Sequence, residues 1–130
     1  MEELIDITVS QLTAWIKQKE YKNIRTFFDE TNIVDGALLV DELATEDLLH
    51  LFKIVRKDVG AELISYLDSD TIERLTYNLT SSQIQILLEE MYSDDLNEIL
   101  SELPEALVTK VLQAASPEIR KQINEFLSYE

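Results

Sequence analysis

Apolar residues recur along the chain at an interval of twelve. Two such series, four residues apart, each run through eight successive units without a polar residue. The first series is Leu39, Leu51, Leu63, Leu75, Leu87, Ile99, Val111 and Ile123, and the second is Leu43, Val55, Leu67, Leu79, Met91, Leu103, Ala115 and Leu127. Because residues four apart lie on one face of an α-helix, each unit predicts a short helix with a single buried face.

The residues that follow each apolar pair favour helix starts. Side chains of the N-cap type stand there in four units, at Thr45, Ser69, Ser81 and Ser93. Such side chains accept hydrogen bonds from backbone N–H groups that the helix leaves unpaired. Ser116 precedes Pro117, which suits the first helical position, and we expect Pro104 to open another helix in the same way.

Helices of about two to three turns are marginal alone and must pack on their neighbours. The sequence therefore predicts one all-α domain, a superhelical solenoid of short helices with a roughly 12-residue repeat. The pattern is looser before residue 43, where segments 8–19 and 22–31 predict two further helices. We assign residues 1–42 to N-terminal capping helices and residues 43–130 to the repeat array.

The charge of the chain narrows the range of partners. The 130 residues carry a net charge of −15, with 45% apolar residues, so the chain is long and apolar enough for a folded core. Nucleic acid and anionic lipid surfaces both require basic patches, and we expect neither as a partner. A strong negative charge instead favours cations or a basic surface.

Catalysis is not predicted from this composition. The chain contains no Cys, a single histidine (His50) and only two glycines, Gly36 and Gly60. A Ser/His/Asp triad, thiol chemistry and a glycine-rich phosphate loop are therefore not indicated. No apolar run reaches the roughly 18–20 residues of a membrane span, and the start of the chain lacks the features of a signal peptide.

Acidic residues are concentrated where basic ones are missing. Segments 26–52 and 75–109 each contain seven Asp or Glu and no Lys or Arg. Within the second segment, Asp94 and Glu98 are one helical turn apart, so both can face one hydrated cation. Mg²⁺ takes oxygen ligands, keeps several waters and is held by one or two carboxylates. The alternative is that Asp94 and Asp95 only complement the positive end of a helix dipole.

Three stretches resemble the N-terminal cytoplasmic domain of the MgtE family of magnesium transporters and channels: `DVGAELISYLDSDTIERL`, `YSDDLNEILSELPEALVTKVLQ` and `SPEIRKQINEFLSYE`. The most specific of them is the `DDLNEIL` segment with its `LP` turn. The resemblance covers residues 43–130, and it identifies the chain as an excised or stand-alone sensor domain without pore or CBS domains.

The resemblance implies a cytoplasmic Mg²⁺-sensing regulatory domain that docks on CBS domains of the same polypeptide and gates the pore. The family's metal-facing carboxylates fall on Glu62, Asp94 and Glu98, although the third is Asp in the family pattern and Glu is one methylene longer. Mg²⁺ is then bound weakly, at the interface with a CBS domain. The resemblance further implies a homodimer on the cytoplasmic side of the bacterial inner membrane, attached to the membrane only through a C-terminal part.

Two other functions stay open at this point. Middle-domain helical repeats of the flagellar rotor protein FliG are similar to this array, which allows a protein–protein scaffold of the flagellar motor. A free-standing acidic adaptor without metal is the second.

The segment `DSDTIE` at 68–73 has the acidic spacing of a calcium loop, but the glycine and the final carboxylate of that motif are missing.

Overall fold

The computed structural model describes residues 8–128, and within this range it contains ten α-helices and no β-strand. The predicted all-α class is confirmed. None of these helices has the length and hydrophobicity that crossing a membrane requires. In chain order they are α1 (Val9–Lys17), α2 (Tyr21–Glu30), α3 (Ile33–Asp41), α4 (Thr45–Ile54), α5 (Lys57–Ile64), α6 (Ser69–Asn78), α7 (Ser81–Glu89), α8 (Ser93–Glu102), α9 (Glu105–Ala114) and α10 (Pro117–Ser128).

Successive helices begin twelve residues apart from α1 to α10. In the described part of the chain the regular spacing therefore extends back to Val9, well before residue 43. In the units of α1 and α2, Trp15 and Phe27 occupy the position of the first apolar series. The position of the second series is occupied there by the polar residues Lys19 and Thr31. Because one of the two series is interrupted there, the apolar pattern alone does not reveal the first units.

Lys19 closes α1 in a conformation that usually requires glycine. Its φ angle is 59°, its N–H donates to the carbonyl of Ile16 at 3.2 Å, and the N–H of Glu20 donates to the carbonyl of Trp15 at 2.9 Å. This pair of bonds is a Schellman motif, which satisfies carbonyl groups that the helix end leaves unpaired. The turn between α1 and α2 therefore contains these backbone hydrogen bonds at a position where later units have a buried apolar side chain.

The predicted apolar series line the interior of the protein. Of the first series, Leu39 and Leu87 are half-buried and the other six are buried. Five members of the second series are buried, and Met91, Leu103 and Leu127 are half-buried. The burial of both series explains why each unit keeps apolar residues at these two positions.

The structure divides into two compact units, one ending at Asp68 and the other beginning at Ser69. In the first unit, α3 packs on α5, and both α1 and α2 pack on α4. In the second unit, α7 and α6 pack on α9, and α8 packs on α10. Helices two or three positions apart in the chain are therefore packed together, which gives each short helix the tertiary support that it lacks alone.

Several caps lie one residue earlier than the sequence predicts. Thr45, Ser69, Ser81 and Ser93 are first helical residues, so their assignment as N-caps was wrong. In three of these units the N-caps are Ala44, Thr80 and Tyr92. Ala44 and Tyr92 make no side-chain cap, and these units instead place acidic residues in the first turn, where they suit the helix dipole.

Proline and threonine define two of the later helix starts. Pro117 is the first residue of α10, as predicted, and the N–H of Ile119 donates to the Ser116 hydroxyl at 3.4 Å. Pro104 is the N-cap of α9 and not its first residue. Thr80 forms a capping box with Gln83, in which each side chain accepts from the backbone N–H of the other residue.

Thr80→Ala is expected to lower the free energy of unfolding by about 1 kcal/mol, because it removes the side-chain acceptor of the capping box. Ser81→Ala, at the adjacent exposed position, is the matched control and should change it by less than about 0.5 kcal/mol. Urea unfolding followed by circular dichroism measures both. Equal losses in the two variants would contradict the assignment of Thr80 as the cap.

Candidate metal-facing acidic edge

Helix α8 carries a row of carboxylates on its outer side. Asp94, Glu98 and Glu102 follow one another at intervals of four residues, and all three are exposed. The opposite side of the helix is apolar, with Leu96, Ile99 and Leu100 buried in the core. Burial of that face fixes the direction of the carboxylates toward solvent. We call Asp94, Glu98 and Glu102 the α8 acidic edge.

Basic side chains do not neutralise this edge. Among residues 8–128, the ion pairs join Lys17 to Asp47, Arg56 to Asp58 and Arg74 to Asp70. Glu102 instead accepts a hydrogen bond from the Ser69 hydroxyl at 3.4 Å. Like charges four residues apart on a helix repel by about 0.2–0.5 kcal/mol per pair. The edge therefore stores a small electrostatic repulsion in the folded protein.

Three basic residues are used at the carbonyl ends of helices. The Nε of Arg25 donates to the carbonyl of Ile54 at the end of α4. The Nζ of Lys110 donates to the carbonyl of Tyr77 at 2.7 Å, near the end of α6. Arg120 donates to two carbonyls at the end of α9, each at 3.0 Å. These cations satisfy carbonyl groups and the negative end of the helix dipole, so their donors are used at helix ends.

Glu62 lies on α5, in the first compact unit. Its side chain is exposed, and it is flanked in sequence by the buried residues Ala61 and Leu63. Glu62 and Glu98 occupy the same position of their twelve-residue units. Both carboxylates therefore point away from the core of their own unit and remain open to solvent.

The arrangement fits a partial site for a hydrated divalent cation. Two carboxylates one turn apart, with no ion pair to a basic residue, are hard oxygen donors of the kind that Mg²⁺ takes. Within residues 8–128, the α8 acidic edge included, no three His, Cys, Asp or Glu side chains come together closely enough to hold a metal ion by themselves. Any complete coordination shell therefore needs water or a second surface.

Two acidic residues have structural roles that the sequence did not reveal. Asp47 is 6% exposed and pairs with the Nζ of Lys17 at 3.3 Å. The Oδ1 of Asp41 accepts the backbone N–H of Asp68 at 3.0 Å. Asp47 is the third residue of α4, a position that suits the helix dipole, but nothing in the local sequence indicates burial. Both carboxylates are thus engaged in holding the first unit together.

Comparison with known proteins settles the family. The family model of the MgtE intracellular N domain matches residues 31–130. The chain belongs to this family. The match confirms the resemblance seen from residue 43 onward and extends it upstream through α3. No curated protein sequence matches the domain.

A solved structure shares the fold of this MgtE N domain. It is a crystal structure of the soluble part of a magnesium transporter, with a TM-score of 0.81 and 22% sequence identity, and the similarity covers 97% of the domain. The domain spans only 50% of the length of that chain. At this identity the similarity establishes the common helical fold and leaves half of the larger protein without a counterpart here.

Glu98→Gln is expected to raise the free energy of unfolding by about 0.4–1 kcal/mol at low ionic strength, because it removes the repulsion with both Asp94 and Glu102. The gain should shrink in about 0.5 M NaCl, where exposed charges are screened. Chemical unfolding at the two salt concentrations measures it.

The control for this variant is an internal one. In a background that carries Asp94→Asn, Asp95→Asn and Glu102→Gln, the same Glu98→Gln change meets no acidic residue three or four positions away on α8 and should leave stability unchanged. A gain of the same size in that background would assign the effect to helix propensity and not to repulsion.

Proposed function

We propose that this domain is the magnesium-sensing regulatory domain of a bacterial magnesium transporter or channel. In this proposal Asp94 and Glu98, together with Glu62, face acidic CBS domains of the same polypeptide and share hydrated Mg²⁺ with them. Membership of the MgtE intracellular N domain family carries the proposal. The exposed, unneutralised α8 acidic edge supports the assigned residues.

The solved transporter fragment is about twice as long as this domain, which is consistent with a second folded module in the full regulatory region. Since the domain spans half of that chain, a full regulatory region has room for another folded part of similar length.

The family match and the shared fold both favour this function over a flagellar scaffold, and we propose no catalytic role. The proposed location is the cytoplasmic side of the cell membrane, in a homodimer attached to the membrane by other parts of the polypeptide.

The regulatory response follows from the charges of the domain. The net charge of −15 opposes close approach to a second acidic module, and the exposed carboxylates of Asp94 and Glu98 add to this opposition on the outer side of α8. Bound Mg²⁺ supplies two positive charges and a shell of ordered waters. When free Mg²⁺ is scarce, the carboxylates repel the partner surface, the domain separates from it, and the pore is released from inhibition.

MgCl₂ is expected to stabilise the isolated domain slightly more than NaCl. With a dissociation constant of about 5 mM, about 10 mM MgCl₂ should add roughly 0.6 kcal/mol, or about 2–3 °C in Tm. The reference is about 30 mM NaCl, which has the same ionic strength. Thermal unfolding of the wild type and of the Asp94→Asn/Glu98→Gln variant measures the excess, which should disappear in the variant.

The matched control is Glu118→Gln/Glu125→Gln, which removes the same amount of charge from α10 and should retain the excess. Equal shifts in MgCl₂ and NaCl would reduce the effect to general screening. Tight one-to-one binding in calorimetry would contradict the partial site, because one surface supplies too few ligands for such affinity.

Mg²⁺ is also expected to promote binding of the domain to the CBS domains encoded in the same gene. Sedimentation of the mixed modules should show a complex at about 10 mM Mg²⁺ and separate species in EDTA, because like-charged surfaces repel without the cation. The Asp94→Asn/Glu98→Gln variant should lose most of this Mg²⁺ dependence. Association that is the same with and without Mg²⁺ would overturn the sensing role.

A further inference from the structure

The two compact units repeat one scheme of helix packing. In the first unit, α1 and α2 pack on α4, and α3 packs on α5. In the second unit, α6 and α7 pack on α9, and α8 packs on α10. Each of these pairs in the second unit is a pair of the first unit moved five helices along the chain. The units are therefore two copies of one five-helix arrangement, and each contains five of the twelve-residue repeats.

The boundary between the units is not a property of a uniform repeat. In a solenoid of equivalent repeats, each repeat contacts its neighbours in the same way, and the array has no preferred point of division. Here the chain divides between Asp68 and Ser69, after the fifth of the ten described helices. A set of elements that closes its own core is the kind of unit that folds and opens cooperatively.

The first unit closes its core completely. Among its described residues, seven aliphatic side chains have no exposed surface, namely Leu12, Ile16, Ile24, Val40, Leu48, Leu51 and Leu63. Phe27 and Phe28 add an edge-to-face contact with ring centroids 5.0 Å apart, and the ring of Trp15 lies 6.3 Å from that of Phe27. Such aromatic pairs stabilise a core beyond the area that they bury.

The second unit closes its core less tightly. Among its described residues, Ile123 is the one aliphatic side chain without exposed surface, and Leu75 and Leu100 keep 2% and 3%. Tyr77 and Tyr92 are 72% and 80% exposed, so these aromatic rings add little to the interior. The α8 acidic edge adds repulsion to the same unit. Because burial of apolar surface is the main source of stability, the second unit is expected to be the less stable of the two.

We propose that the domain opens in two separate cooperative steps, and that the second unit, which carries the α8 acidic edge, opens while the first unit stays folded. This inference rests on the packing of the domain and not on the magnesium role, so either can fail without the other.

Separate opening makes the α8 acidic edge a conditional surface. Asp94 and Glu98 share one face only while α8 is folded and packed on α10, whereas Glu62 belongs to the unit that stays closed. A ligand that binds the folded edge therefore stabilises the second unit by mass action and leaves the opening of the first unit unchanged. Regulation at the edge then acts on half of the domain.

Native-state hydrogen exchange of the whole chain, followed amide by amide in NMR spectra, tests the proposal. Each buried amide reports the free energy of the smallest opening that exposes it. After correction for intrinsic exchange rates, the slowest amides of α6–α10 are expected to exchange at least about ten-fold faster than the slowest amides of α1–α5. As low concentrations of urea are added, the slowest amides should converge on one rate within each unit.

Two matched variants assign the opening steps. Leu63→Ala lies in α5 and Leu75→Ala lies in α6, and the two leucines occupy the same position of consecutive repeats with 0% and 2% exposure. Each variant should speed exchange by about thirty-fold or more in its own unit, because it leaves a cavity in that core. Exchange in the other unit should change by less than about two-fold. Loss of all protection in the altered unit supports the proposal equally, provided that the other unit keeps its protection.

A milder pair of variants applies the same test with a smaller perturbation. Ile24→Val in the first unit and Ile123→Val in the second each shorten a side chain without exposed surface, and each should speed exchange by about two- to ten-fold in that unit alone. Trp15, the single tryptophan of the chain, gives an independent readout, since its fluorescence follows the first unit and circular dichroism follows both. The fluorescence midpoint in urea is expected at a higher concentration than the circular dichroism midpoint.

The proposal is overturned if any of these variants speeds the slowest amides of both units to the same extent, because the described helices then open as one. It is also overturned if the slowest amides of α1–α5 exchange faster than those of α6–α10, or if fluorescence and circular dichroism follow one urea transition.

Discussion

Burial of two apolar residues per unit, against helices two or three positions away, is the interaction on which this fold depends. The helices contain between 8 and 12 residues, which is too short for stability in isolation. A helix such as α5 is therefore held by its packing on α3 and by burial of Leu63. Turns of two to four residues follow from the same constraint, because twelve residues must contain both the helix and its connection.

The distribution of charge follows from how the helices end. Side-chain caps at Thr8, Asn32 and Thr80, acidic residues in several first turns, and cations at carbonyl ends together satisfy groups at the helix termini. Arg25, Lys110 and Arg120 serve carbonyl groups, and Lys17 is paired with the buried Asp47. Because the chain has only 11 basic residues against 26 acidic ones, its outer faces carry an excess of carboxylates. The acidic surface that we assign to magnesium sensing is part of this excess.

Sequence reasoning succeeded where a single residue type determines the outcome. The twelve-residue spacing of apolar residues predicts that they are buried, and Leu51, Leu63 and Leu75 are buried in the structure. It failed by one residue at the caps, because Thr80 and Ser81 are both suitable and only backbone geometry distinguishes them. Lys19 interrupts the second apolar series in the unit of α1, since a Schellman turn stands where the units from Leu43 onward have an apolar residue.

The candidate site was predictable only in part. The spacing of Asp94 and Glu98 fixes their shared face, and their exposure follows from burial of the opposite side. Assignment of Glu62 came from the family pattern, since sequence spacing does not determine whether distant carboxylates meet. Long-range contacts such as Lys17–Asp47 and Ser93–Gln122 depend on tertiary packing and leave no local signal in the sequence. Contacts between residues far apart in the chain are therefore visible only in the three-dimensional structure.

The constant interval between helix starts also restricts how such a chain can change in length. Deleting one residue inside a helix rotates everything beyond it by about 100° relative to the core, so the apolar pair of that unit would turn toward water. Removing or duplicating a whole unit of twelve keeps every later helix in phase. We therefore expect natural length variation among such domains to occur in complete modules, with single insertions and deletions confined to the chain ends.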